Sequence, residues 1–195
     1  MGIKHLRLNF VCPMIEIVPY DFTWPARFDA EAASVRAALG RLALRIEHVG
    51  STAVPGLAAK PVIDIQVSVA TLEPLALYGE SLAELGYRHV PLGPFDLEYP
   101  FFQKPGTWPS THHIHLCVFG EEQERRHVAF RDYLRGHPAV GAEYVRLKRM
   151  LASLHDGATL ESQERYSLSK TDFVDAVLQR ALPAGNPLAS GHLSS

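Results

Sequence analysis

Residues 46–67, IEHVGSTAVPGLAAKPVIDIQV, decide how this chain folds. Ile46-Glu47-His48-Val49 predicts a short strand, and Gly50-Ser51 breaks it into a tight turn. The following residues, Ser51 to Pro61, read as a loop or a short helical turn. From Val62 to Val69 the chain alternates: Val62, Asp64, Gln66 and Ser68 share one face of a strand, and Ile63, Ile65, Val67 and Val69 share the other. A strand that is apolar on one side and carries an acid on the other predicts a sheet with a core beneath it and a chemically useful face above.

On the N-terminal side, Phe28, Ala32, Val35 and Leu39 fall on one face of a helix spanning Thr23 to Leu44, with Thr23 as N-cap and Pro25 in the first turn. On the C-terminal side, Leu75, Tyr78, Leu82 and Leu85 mark a second helix ended by Gly86. Short strands are expected at 87–90 and 99–104, and a longer one at 112–119, where His113, His115 and Cys117 share a face. Three helices follow, at 121–135, 139–154 and 160–182, the first two separated by Pro138 and the last two by a turn at Gly157. Strands in the middle and helices at the end predict an α+β fold, a small mixed β-sheet covered by helices, with a helical C-terminal part. Residues 1–13 read as an N-terminal extension, 14–182 as one domain, and 183–195, rich in Pro, Gly and Ser, as a flexible tail.

Composition narrows the function. The 195 residues are 47% hydrophobic and 21% charged, which suits a folded domain with an ample core. Nineteen Lys and Arg against 21 Asp and Glu leave a net charge of −2, without the positive field that sequence-independent nucleic-acid binding needs. Nucleic acid is therefore not an expected partner. Cys12 and Cys117 form no C-x-x-C pair and no disulfide framework, and no apolar run is long enough for a membrane span, so a cytoplasmic protein is expected.

Gly50 and Ser51 at a strand end, with Asp64 on the next strand, suit a phosphate cradled by a turn beside a carboxylate that holds a divalent cation. Gly50, Gly56 and Lys60 imitate a P-loop, but the register is G-x₅-G-x₃-K with Leu57 after the second glycine, which excludes one. His113 and His115, two apart on a strand, complete a two-His, one-carboxylate set if that strand lies beside the Asp64 strand. Tyr144 with Lys148, and Tyr166 with Lys170, are i, i+4 pairs fit to clamp a phosphate or carboxylate against the sheet; Arg131, Lys60 and Lys104 are further candidate cations.

The 46–67 stretch resembles the signature of the GrpB family, also called UPF0157. Tyr20-Asp21 with Trp24, Phe102 and Lys104, the THHIHLCV segment at 111–118, FRDYLRGHP at 130–138, Tyr144 with Leu147-Lys148, and Tyr166 with Lys170 and Phe173 extend the resemblance from about Ile15 to Ala181. It implies a nucleotidyltransferase-like fold, in which a Gly-Ser turn is followed by an Asp-x-Asp or Asp-x-Glu pair and a third carboxylate on a later strand. Here the pair is Asp64-x-Gln66, and histidines stand where the third acid belongs. On this reading Asp64, His113 and His115 are the candidate catalytic and metal-binding residues, for Mg, Mn or Zn. Gly50, Ser51, Lys60, Gln66, Lys104, Arg131, Tyr144, Lys148, Tyr166 and Lys170 are the candidate ligand-binding set. The expected ligand is a nucleotide or other phosphorylated small molecule, with metal-dependent transfer or hydrolysis as the reaction. The alternative is a non-catalytic ligand-binding or partner-regulating module with a protein partner, as in GrpB-like domains fused to dephospho-coenzyme A kinase.

Overall fold

The computed structural model describes residues 15–107, 109–155, 157 and 159–182; the expected extension at 1–13 and tail at 183–195 lie outside the described residues. The five expected strands form: β1 (Arg45–Val49), β2 (Ile63–Val69), β3 (Arg88–Val90), β4 (Phe101–Lys104) and β5 (His112–Val118). They make one mixed sheet in the order β1-β2-β5-β4-β3. Only the β2–β5 pair is parallel. Six helices accompany the sheet among the described residues: α1 (Trp24–Leu39), α2 (Ala76–Glu84), α3 (Glu122–Gly136), α4 (Pro138–Leu154), α5 (Leu160–Leu168) and α6 (Thr171–Ala181). This is the α+β class expected, with the helices α3 to α6 forming the C-terminal part.

The apolar face of β2 does what its alternation predicts. Ile63, Ile65, Val67 and Val69 are fully buried, packed with Ile114 and Leu116 of β5 and with Trp24, Val35, Leu39, Tyr78 and Leu82 of α1 and α2. Burying side chains of this size is worth about 1.5–3 kcal/mol each. The polar face is not solvated along its length. Gln66 and Ser68 are also fully buried, and Gln66 bonds into α3, which covers this side of the sheet. The end of that face carrying Asp64 opens into a cavity.

Two helix readings need adjustment. The first helix stops at Leu39 and tightens into a short 3₁₀ turn over Gly40–Leu42; Thr23 is its N-cap, but it is Asp21 that caps there, accepting the Thr23 N–H through Oδ1 at 2.8 Å. The continuous helix expected over 160–182 is two helices. α5 ends at Leu168, with the Ser169 hydroxyl donating to the Arg165 carbonyl at 2.8 Å at its C-terminus, and α6 restarts after Lys170. That break carries Lys170 into the cavity wall.

Candidate functional site

The parallel register of β2 and β5 sets Asp64 beside His113 and Gln66 beside His115. Because the side chains alternate together, Asp64, His113 and His115 emerge on one face at one end of the sheet. Asp64 Oδ1 lies 3.1 Å from His113 Nδ1 and 3.5 Å from His115 Nε2. Burial acts to raise the Asp64 pKa, but the hydrogen bonds and charge of the two imidazoles outweigh it and hold the carboxyl well below the usual range. Burial pushes the His113 pKa down. One atom from each residue can be chosen so that all three lie within 4.8 Å of one another, the spacing of a three-donor metal site. A divalent cation therefore fits these residues.

The turn after β1 brings the backbone against this cluster. Gly50 has φ +69° and ψ −170°, and a Cβ there would stand 2.9 Å from the Cβ and Cγ of Asp64. Only glycine permits that approach. The turn is fixed from α3: Arg135 donates to the Ala53 carbonyl at 2.7 and 3.0 Å, and Arg131 donates to the His48 carbonyl at 2.9 Å and to Glu47 at 2.7 Å. From α4, Lys148 Nζ donates to Ser51 Oγ at 3.0 Å and to the Ala58 carbonyl at 2.6 Å.

These elements enclose a cavity of about 620 Å³ whose lining includes Asp64, His113 and His115 together with Lys60, Lys148 and Lys170. The volume is that of a small-molecule site. Lys148 Nζ sits 4.7 Å from the Tyr144 ring centre, and Lys60 and Lys170 lie over the Tyr166 ring at 5.3 and 4.4 Å. Burial first, and then the neighbouring Lys170, push the Lys148 amine down to about 7; burial and Lys60 push Lys170 down to about 8. Among the described residues no carboxylate comes within ion-pair distance of Lys170, and the hydroxyl of Tyr166, a residue 1% exposed, has no hydrogen-bond partner. A half-buried cation facing an aromatic ring and no carboxylate is a favourable place for an anion.

Seven of the ten expected ligand-binding residues, Gly50, Ser51, Lys60, Tyr144, Lys148, Tyr166 and Lys170, line this cavity. Three do not. Lys104 shares the β4 face of the buried Phe102, on the other side of the sheet, and pairs with Glu31 at 2.8 Å. Arg131 directs its guanidinium to Glu47, Asp132 and the His48 carbonyl, and so fastens α3 to β1. Gln66 is sealed under α3, its carbonyl oxygen accepting from His127 Nδ1 at 2.9 Å and its amide donating to the Glu124 carbonyl at 3.3 Å. Among the residues missed are His127, whose ring centre is 5.3 Å from that of His115, and Phe101, 4.8 and 5.2 Å from His113 and His115. Arg126 and Asp175 add an ion pair of 2.7 Å to the lining. The i, i+3, i+7 spacing of His127, Phe130 and Leu134 was the signal that would have placed His127 on the inward side of its helix.

Comparison with known proteins agrees with this architecture. The UPF0157 protein YqkA of Bacillus subtilis is 34% identical over 168 residues, covering 86% of this chain and 47% of that one. A dephospho-CoA kinase of Mycolicibacterium paratuberculosis is 31% identical over 166 residues, covering 73% of this chain and 41% of the kinase. The chain thus spans less than half the length of either relative. The crystal structure of GrpB from Enterococcus faecalis superposes with a TM-score of 0.73 at 35% identity, over 85% of this chain and 96% of that one. The family model described as GrpB protein matches residues 14–180, and the chain belongs to the GrpB family.

Proposed function

We propose that the cavity binds a nucleotide or other phosphorylated small molecule, its phosphate held by Lys60, Lys148 and Lys170 beside Ser51, with a divalent cation on Asp64, His113 and His115. The observation that carries this reading is Lys170, an amine without a carboxylate partner among the described residues, set over the Tyr166 ring in the wall of the cavity that holds the Asp64 cluster. A phosphate oxygen supplies the missing anion. Asp64 and the three lysines line one cavity of about 620 Å³, so one ligand of modest size can touch both poles. A cation bound there withdraws charge from phosphate oxygens, the contribution that transfer or hydrolysis of a phosphoryl-containing group requires. The chain itself supplies the lysines that bind and orient the phosphate, and the Gly50-Ser51 turn that brings backbone close to it.

A second reading, a non-catalytic ligand-binding or partner-regulating module, draws on a different observation. A related stretch occupies 41% of the dephospho-CoA kinase of Mycolicibacterium paratuberculosis, and Gln66 replaces the second carboxylate with an amide turned away from the cavity. Thermal shift against nucleotides and coenzyme A precursors, each with Mg²⁺, Mn²⁺ or Zn²⁺, tests the leading reading. A ligand at 100 times its dissociation constant adds about 2.7 kcal/mol and raises the midpoint by several degrees. A flat panel across every compound and metal contradicts it and favours the partner-binding module.

A further inference from the structure

Asp64, His113 and His115 offer an ion one carboxylate and two imidazoles, and among the described residues no other acidic side chain, Glu164 of the cavity lining included, joins them within donor spacing. Gln66, on the same strand face, has both ends of its amide engaged, by His127 and by the Glu124 carbonyl. Asp175 lines the cavity but is paired with Arg126 at 2.7 Å. The lysines of the wall add positive charge. A hard ion such as Mg²⁺ needs several oxygen donors and gains little from imidazole, whereas zinc and cobalt ions bind imidazole strongly. We infer that Asp64, His113 and His115 form a single-ion site for an imidazole-favouring transition metal of the zinc and cobalt class, and that the site discriminates against Mg²⁺. This deepens the reading proposed above and rests on its placement of the cation.

The imidazoles are braced for such an ion. His113 Nε2 lies 2.7 Å from Ser110 Oγ, and Ser110 is itself buried. With no ion present, His113 donates through Nδ1 to Asp64, a carboxylate that can only accept, and its Nε2 accepts from the Ser110 hydroxyl. With an ion on Nδ1 the ring proton moves to Nε2, and the same hydroxyl turns to accept it. A hydroxyl serves both tautomers, which a backbone N–H or a carbonyl could not. The His115 ring is held between Phe101 and His127, with ring centres 5.2 and 5.3 Å away. Two fixed imidazoles and one carboxylate leave further positions of the ion open to ligand oxygens.

The test is calorimetric titration of the metal-stripped, tag-free full chain with Zn²⁺, Co²⁺, Mn²⁺ and Mg²⁺, without phosphate. One equivalent of Zn²⁺ and of Co²⁺ should bind, with Mg²⁺ at least about a hundredfold weaker. The cobalt form should show ligand-field absorption that His115→Ala loses. Equal affinities for Mg²⁺ and Zn²⁺ would overturn the inference, as would Zn²⁺ binding undiminished in a folded His113→Ala, His115→Ala double variant. Should that variant fail to fold, the ranking of ions on the unaltered protein decides alone. Inorganic pyrophosphate titrated into the same protein with a chelator present reads the lysines separately. Pyrophosphate binding with no preference for Zn²⁺ defeats the ion assignment and leaves the phosphate site standing. A Zn²⁺ preference without pyrophosphate binding, in chelator or with Zn²⁺, upholds the ion assignment and defeats the phosphate reading.

Discussion

Gly50→Ala is the substitution with the most specific consequence, because Gly50 and Asp64 share space. Two costs act together. At φ +69° and ψ −170° an L side chain is strained, and a Cβ placed there meets the Asp64 Cβ and Cγ at 2.9 Å, too close for both the turn and β2 to keep their places. Backbone strain of about 1–3 kcal/mol and overpacking of a similar size sum to about 2–6 kcal/mol. For a domain of this size, at about 2–4 °C per kcal/mol, that lowers the melting midpoint by roughly 4–24 °C. Gly56→Ala is the internal control: its φ is +79°, but nothing lies within 4 Å of the new Cβ, so it bears the strain without the collision. Differential scanning calorimetry of both variants, followed by Zn²⁺ titration, should show Gly50→Ala the less stable and the weaker in metal affinity, with Gly56→Ala binding metal normally. A Gly50→Ala protein with the midpoint and Zn²⁺ affinity of the parent would refute the claim that the turn is pressed against the Asp64 carboxylate.

Asp64→Asn removes the charge and keeps the shape, so metal binding should be lost by titration while the unfolding free energy changes by less than about 2 kcal/mol; a destabilised variant that still binds metal normally contradicts the functional role of Asp64. Anion binding should weaken as pH rises through about 7 and 8, where Lys148 and Lys170 lose their protons, and titration with sulfate, whose charge does not change over this range, checks it. The sign for the free protein is opposite: folding lowers both amine pKa values, so the unfolded chain binds more protons above pH 7, and stability should rise from there toward the ordinary lysine range. Arg131→Met should cost about 3 kcal/mol in urea unfolding, at the low end for a broken buried ion pair because Glu47 and Asp132 are partly exposed, and it should unfasten β1 from α3. Lys104→Met should leave Zn²⁺ and pyrophosphate affinities unchanged; a loss of either would bring Lys104 back to the site.

The two strand faces were legible because alternation is a local property of sequence. Ile63, Ile65, Val67 and Val69 had to share a face, as did His113 and His115, and the structure puts the first set in the core and the second beside Asp64. The parallel pairing that sets Asp64 opposite His113 was not legible, since register is decided by how both strands pack on α1 and α2. Lys104 shows a rule left unused: two residues after Phe102 on one strand, it belongs on the core side, and Phe101 on the site side. Arg131 and Gln66 show a limit of another kind. A charged or amide side chain that ties two elements together looks in sequence like one that waits for a ligand, and only the partners at 2.7–3.3 Å tell them apart. Lys170 owes its place to a helix break at Ser169, which neither a Pro nor a Gly marks in an otherwise helical pattern.

The central claim is that the lysine wall beside Asp64 receives phosphate, and Lys170 tests it most directly because among the described residues no carboxylate partners it. Isothermal titration of inorganic pyrophosphate into the unaltered chain and into Lys170→Gln should give saturable binding in the first and, for one lost charge-assisted hydrogen bond of about 1.5–3 kcal/mol, a roughly 10- to 100-fold weaker constant in the second. The melting midpoint should change little, since the amine removed has no carboxylate partner and gives up only its contact with the Tyr166 ring. Equal pyrophosphate affinity in the two proteins, or no saturable binding to the unaltered chain, would contradict the account.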